Sequence, residues 1–208
     1  MKQHLLRGRA PIPRACFALF ALGWLLYALF GFAADAAAAA SGRMARRTLD
    51  LSALTMYNLA SEGDAWQATS NDPQVIWQPA AGQTVRTVTV TAHYSAAPRE
   101  MCLYYTADAA ADFSVEQRVF AWQNADGSYT FRLPRTAVAK IRLDPCSAAV
   151  RITGLTIREN EPLAAWRYFV PAWRTAAALF LYAGLTACAV RLAADFVRAR
   201  RARASGAG

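Results

Sequence analysis

Histidine is scarce in this chain: there are two in 208 residues, and His4 lies in a basic N-terminal stretch. A histidine-based metal centre or a Ser-His-Asp relay would have to rest on His93 alone. A Cys-x-x-Cys pair, a P-loop and a Rossmann glycine pattern are also missing. The acidic residues are scattered, with no spacing that marks a general acid and its partner base. These gaps argue against an enzyme and against any metal or cofactor.

Acidic residues are also thin at the two ends. Between residues 36 and 165 there are twelve Lys or Arg against twelve Asp or Glu, so the net charge of +9 resides wholly in the flanks. A nucleic-acid binder carries its basic patch on the folded domain, where it displaces counterions from phosphates. Here the arginines bracket apolar runs, as topology signals do. Nucleic acid is therefore set aside as a partner.

What is abundant is apolar sequence at both ends. ACFALFALGWLLYALFGFAA, residues 15 to 34, carries no charge, and as a helix it measures about 30 Å, the thickness of a hydrocarbon core. The basic stretch 1 to 14 before it reads as cytoplasmic by the positive-inside rule. Because the small-residue tract ADAAAAAS follows, a cleaved signal peptide is the alternative reading. The second run, TAAALFLYAGLTACAV, lies between Arg174 and Arg191. It is short for a span, but snorkelling arginines and the aromatics Trp166, Tyr168, Phe169 and Trp173 extend it to residues 168 to 192. The basic tail 193 to 208 then returns to the cytoplasm. With linkers at 35 to 47 and 161 to 167, the expected layout is two spans in the bilayer of a bacterial inner membrane, both termini inside and residues 48 to 160 outside.

In that middle region the dominant period is two, which marks strands with one buried face. In VRTVTVTAHY, Val88, Val90, Ala92 and Tyr94 share one face while the threonines and His93 share the other. RVFAWQ and SYTFRL flank NADG, whose Asp126-Gly127 supplies the positive-φ positions of a hairpin turn. Along VRITGLTIRE the apolar parity slips at Gly154, the mark of a β-bulge that returns Val150, Ile152, Leu155 and Ile157 to one core. Short strands without helical heptads predict a mainly β fold: an extracytoplasmic β-sandwich of jelly-roll type flanked by two transmembrane helices. Cys102 and Cys146 are the only cysteines of this region. In an oxidising compartment they are expected to pair, closing a loop of about 45 residues for about 4 kcal/mol, with two buried free thiols as the alternative.

The segments SNDPQVIW, CLYYTADAAADFSVEQRV, YTFRLPRTAVAKIRLDP and VRITGLTIRE resemble, in order and spacing, the jelly-roll accessory domains of bacterial membrane glycosyltransferases and polysaccharide-assembly proteins. The resemblance covers residues 49 to 159 and implies a fold similar to carbohydrate-binding modules. A multi-span transferase domain and a cytoplasmic catalytic domain are not part of this sequence. The implied role is a non-catalytic accessory or glycan-binding subunit in cell-surface polysaccharide assembly, partnered by a membrane glycosyltransferase or another assembly protein. An independent adhesion or sensor ectodomain is the second reading.

Sugar sites on β-sandwiches offer aromatic rings to the C–H face of a pyranose and polar side chains to its hydroxyls. The candidates here are Trp66, Trp77, Tyr104 and Trp122 with Asp72, Gln74, Arg142 and Asp144. Trp77 stands out because it follows the polar NDPQ loop, where a strand edge is expected to meet solvent. Tyr104 and Tyr105 must face opposite ways. Arg142 and Asp144 share a face and can bridge each other.

Overall fold

A computed structural model of the chain describes residues 11 to 205. It divides into two compact units, residues 35 to 163 and a helical unit made of the two flanks. Each is taken by itself.

The helical unit contains α1 (Pro11–Ala40, up to residue 34), the single-turn α2 (Trp166–Phe169) and α3 (Trp173–Ser205). Both long helices are apolar and long enough to cross a membrane. They meet through small residues, with Ala28, Ala183 and Ala187 buried. Phe17 packs on Phe180 at 5.2 Å, Phe32 meets Tyr168 edge-on at 5.4 Å, and the Trp24 indole N–H donates to the Phe169 carbonyl at 2.7 Å. Most other large apolar side chains of α1 and α3, such as Leu19, Phe30, Leu181 and Leu192, are exposed. Helix α3 continues past Arg191, so the described part of the basic tail is helical too.

The other unit is an antiparallel sandwich built from β1 (Arg47–Thr48), β2 (Thr55–Tyr57), β3 (Leu59–Glu62), β4 (Ala65–Ala68), β5 (Gln74–Trp77), β6 (Thr87–Tyr94), β7 (Cys102–Thr106), β8 (Arg118–Phe120), β9 (Trp122–Gln123), β10 (Tyr129–Arg132), β11 (Lys140–Asp144) and β12 (Arg151–Glu159). One sheet has the order β3-β4-β12-β6-β10-β9 with β1 paired to the end of β12; the other runs β2-β5-β11-β7-β8. Between them lies one core, with Val75, Leu103, Ile141 and Leu143 from the five-stranded sheet meeting Val88, Val90, Phe131, Ile152 and Ile157 from the larger one.

The slip of apolar parity along the last strand is a bulge in the structure. Thr153 faces His93 and Thr156 faces Thr91, so Gly154 and Leu155 oppose Ala92 alone. Gly154 has φ +61°, a left-handed conformation open to glycine at little cost. Val150, Ile152, Leu155 and Ile157 are all buried as a result. The hairpin at NADG is present too, with Gly127 at φ +81° and Tyr129 paired with Gln123.

Three features differ from the sequence expectation. RVFAWQ is not one strand: β8 pairs with β7, whereas β9 pairs with β10 in the other sheet, so the chain changes sheets at Ala121. The threonine face of β6 is buried over its first half, where Thr87 and Thr89 are only 4% and 3% accessible, while Thr91 is half-buried and His93 exposed; β6 is a central strand flanked by β10 and β12. The stretch expected as a linker is ordered, because α1 continues to Ala40 and Asp35 belongs to the sandwich unit. There the Asp35 carboxylate, nearly buried, meets Arg135 at 2.9 Å and Arg86 at 3.5 Å.

The bridge between Cys102 and Cys146 is not formed. Both are buried free thiols, and each sulfur has its own neighbour: Cys102 Sγ faces Asp144 Oδ2 at 3.7 Å, and Cys146 Sγ faces the Ala148 carbonyl at 3.3 Å. The reason is register. Asp144, not Cys146, is the cross-strand partner of Cys102. Burial pushes the Cys102 thiol up to about 11, with the Asp144 charge adding to it, so at neutral pH it is a thiol and not a nucleophile.

Substitutions at the bulge and in the core should separate backbone strain from packing. Gly154→Ala forces a side chain into the left-handed region and should cost about 1–2 kcal/mol, a drop of several degrees in Tm. Trp77→Ala empties a core position and should cost about 3–5 kcal/mol. Thermal melts of the detergent-purified protein read both, and a Trp77→Ala variant as stable as wild type would remove Trp77 from the core.

Candidate functional site

Side-chain alternation decides which residues leave the core of the five-stranded sheet. Ile141, Leu143 and Leu103 point inward and are fully buried. Arg142 and Asp144 on β11, and Cys102 and Tyr104 on β7, therefore occupy the outer face. Tyr105 turns the other way and packs against the core.

Strand register then lays these residues out in rows. Thr55 lies beside Ile76, Ile76 beside Arg142, Arg142 beside Tyr104, and Tyr104 beside Arg118. In the adjacent row Tyr57 lies beside Gln74, Asp144 beside Cys102, and Cys102 beside Phe120. The β5–β11 register, continued by one step, sets Gln74 beside Asp144 and completes the row. Tyr57 and Phe120, each 53% exposed, stand on the two edge strands. Four strand spacings separate them, on the order of 19 Å.

At the centre of the face Arg142 is the organising group. Its Nε and Nη2 donate to the two oxygens of Asp144 at 2.6 and 2.8 Å, and Nη2 also reaches Asp72 Oδ1 at 2.6 Å. Gln74 donates to the second oxygen of Asp72 at 2.7 Å. The guanidinium also lies over the Tyr104 ring, 5.0 Å from its centroid, a geometry that planar arginine adopts readily. Burial alone would lower the Arg142 pKa; the Asp144 hydrogen bond and the two carboxylate charges outweigh it and hold the group above its ordinary value. Burial pushes the Asp144 carboxyl upward, and Arg142 only partly offsets this.

Beside this centre, Arg118 lies 4.6 Å from the Phe120 ring centroid and 3.6 Å from the Glu100 carboxylate. The loop after β7 brings Phe113 to 6.4 Å from Tyr104 and under Lys140, whose Nζ donates to the Ala111 carbonyl at 2.7 Å. Among the described residues, no group of three or more His, Cys, Asp or Glu is placed to hold a metal ion. The face combines exposed aromatic edges with a centre of fixed donors and acceptors.

Of the residues singled out by sequence, Asp72, Gln74, Tyr104, Arg142 and Asp144 come together here. The three tryptophans do not. Trp77 points into the core, 6% exposed, and its indole N–H donates to the buried Glu159 at 2.7 Å; β5 lies between β2 and β11 and is not an edge strand. Trp66 sits opposite Ile152 and packs half-buried against the core. Trp122 pairs with Thr130 on the larger sheet, with its N–H on Asn124 at 3.1 Å. Tyr57 and Phe120 escaped notice because TMY is too short to show alternation and RVFAWQ reads as a single strand, which hides the change of sheet.

Removal of Arg142 should expose the cost of burying Asp144. A carboxyl with a raised folded-state pKa binds protons more tightly folded than unfolded, so it costs stability as pH rises from its unfolded to its folded value. Arg142→Leu should widen that window: the variant is most destabilised at neutral pH and recovers on acidification, and adding Asp144→Asn restores much of the loss. Tm measured against pH checks this, and a pH-independent deficit would argue against it.

No protein-family model and no curated protein matches the chain. Among solved structures, the chain is similar to a low-affinity xylan-binding module, CBM86, from the gut symbiont Roseburia intestinalis, at 12% identity, covering 55% of this chain and 94% of that one with a TM-score of 0.38.

Proposed function

We propose that the chain is a non-catalytic, two-span protein of the bacterial inner membrane that holds its sandwich on the outer side and binds glycan there. In this reading both termini are cytoplasmic, and the protein serves as an accessory subunit of cell-surface polysaccharide assembly beside a membrane glycosyltransferase or another assembly protein. The observation that carries the glycan part is the outer face of the five-stranded sheet. Its exposed Tyr57 and Phe120 offer rings to C–H faces, while Asp72, Gln74, Arg142 and Asp144 between them offer hydroxyl partners already fixed in place. A face of that width suits an extended oligosaccharide crossing the strands.

Two long helices with exposed apolar sides support the membrane part. Asp35 supports an uncleaved first span. It lies next to the alanine tract that resembles a cleavage site, yet it is gripped by Arg86 and Arg135 and the helix runs through the tract to Ala40.

Reporters fused after Gly42 and after Pro162 should read as outside, and one at the C-terminus as cytoplasmic; an outside signal at the C-terminus would remove the second span. Against a panel of gluco-, manno-, galacto- and xylo-oligosaccharides, Tyr57→Ala and Phe120→Ala should each weaken binding to the full chain by about 1 kcal/mol with little change in Tm. Co-purification of a multi-span transferase in mild detergent favours the accessory role; glycan binding without such a partner favours an independent ectodomain.

A further inference from the structure

At the Lys140 end of the same face the sheet surface drops into a cleft of about 590 Å³, walled on the far side by the segment from Arg47 to Thr55. Ile76 and Lys140 belong to both the face and the cleft. The volume lies within the range of small-molecule sites, about 300–1,000 Å³.

The chemistry of the lining is mixed in a particular way. Ile76 and Leu54 supply an apolar wall. The side chains of Gln78 and of Thr55, the cross-strand neighbour of Ile76, make no hydrogen bond among the described residues. Each can donate and accept. Asp50 takes both Ser52 hydrogen bonds on Oδ1, which leaves Oδ2 as an acceptor, and Lys140 commits one N–H to Ala111. Charge in the cleft is balanced. Arg47 is turned to Glu159 at 3.1 Å, the Lys140 ammonium is turned to the Ala111 carbonyl and the Phe113 ring, and Asp50 adds one negative charge to the lining. An anionic group would find no uncompensated cation here, and a wholly apolar ligand would leave these donors and acceptors unpaired.

We infer that this cleft is a sugar subsite of its own, taking one neutral pyranose- or furanose-class unit with its C–H face on Ile76 and Leu54 and its hydroxyls on Thr55, Gln78, Asp50 and Lys140. The inference rests on the glycan reading of the adjoining face and deepens it. The cleft adjoins the face at Ile76 and Lys140, so a glycan that crosses the strands can turn its terminal unit into it. The protein then recognises chain ends.

The test uses the full chain in detergent micelles, with neutral methyl glycosides of glucose, galactose, mannose and xylose and the methyl glycoside of glucuronic acid as probes, titrated by ligand-observed NMR. Ala53 lines the cleft and is exposed, so Ala53→Trp fills the cleft without touching the core. A neutral glycoside should bind wild type, lose about tenfold or more in affinity in Ala53→Trp, and fall by a smaller factor, up to about tenfold, in Gln78→Leu. It should bind normally to the Tyr57→Ala/Phe120→Ala double variant, with Tm held in all of them. Binding unaffected by Ala53→Trp overturns the subsite, and preference for the glucuronide overturns its neutral class. If oligosaccharides bind through the face while no single unit binds and Ala53→Trp changes nothing, the subsite falls and the glycan reading stands. If no carbohydrate binds at millimolar concentration, both fall.

Discussion

The sandwich depends on a buried carboxylate. Glu159, 3% exposed at the end of β12, accepts from the Trp77 indole across the core and faces Arg47 of β1. An ionised carboxylate in this position would be costly alone, and removal of either partner leaves it stranded. With both in place, it joins the larger sheet to the smaller one and fixes the end of the last strand. Asn160 follows with φ +57°, a conformation asparagine tolerates better than most residues. Its side chain accepts from the Arg86 amide and donates to the carbonyls of Ala45 and Thr84. Two consecutive buried polar residues thus gather three distant segments, around Arg47, Trp77 and Arg86, at the point where the chain leaves the sandwich.

The outer face obeys a related logic with a different result. Arg142 is also a charge held by carboxylates, but here one partner, Asp72, is exposed, Arg142 itself is partly exposed, and only Asp144 is buried. Its planar fork holds Asp144 by two hydrogen bonds and lies over the Tyr104 ring, so the polar groups of the face are already paired with one another. Preformed polar groups lower the ordering cost of binding, which matters most for hydroxylated ligands that gain little per contact.

Much of this was legible in the sequence because it rested on local rules. Alternation assigned Arg142 and Asp144 to one face and separated Tyr104 from Tyr105, and the parity slip at Gly154 located the bulge to the residue. The failures came from non-local pairing. Trp77 reads as solvent-facing because the polar NDPQ loop lies just upstream, whereas it shares the core face with Val75 and gives its indole N–H to Glu159, far along the chain. The cysteines looked like partners by elimination, but cross-strand register gave Cys102 a carboxylate instead. Phe120 was missed because a change of sheet within six residues leaves no mark in periodicity.

The position of Asp35 bears on what can be cut from this protein. A soluble fragment beginning at Thr48, the boundary that strand periodicity suggests, would discard Arg47 together with Asp35. Glu159 and Arg86 would then be buried charges of opposite sign with their ion-pair partners gone, in two separate places. The domain as a folding unit therefore starts inside the helix, and a faithful excision begins upstream of Asp35, with the last turns of α1 retained as part of the sandwich.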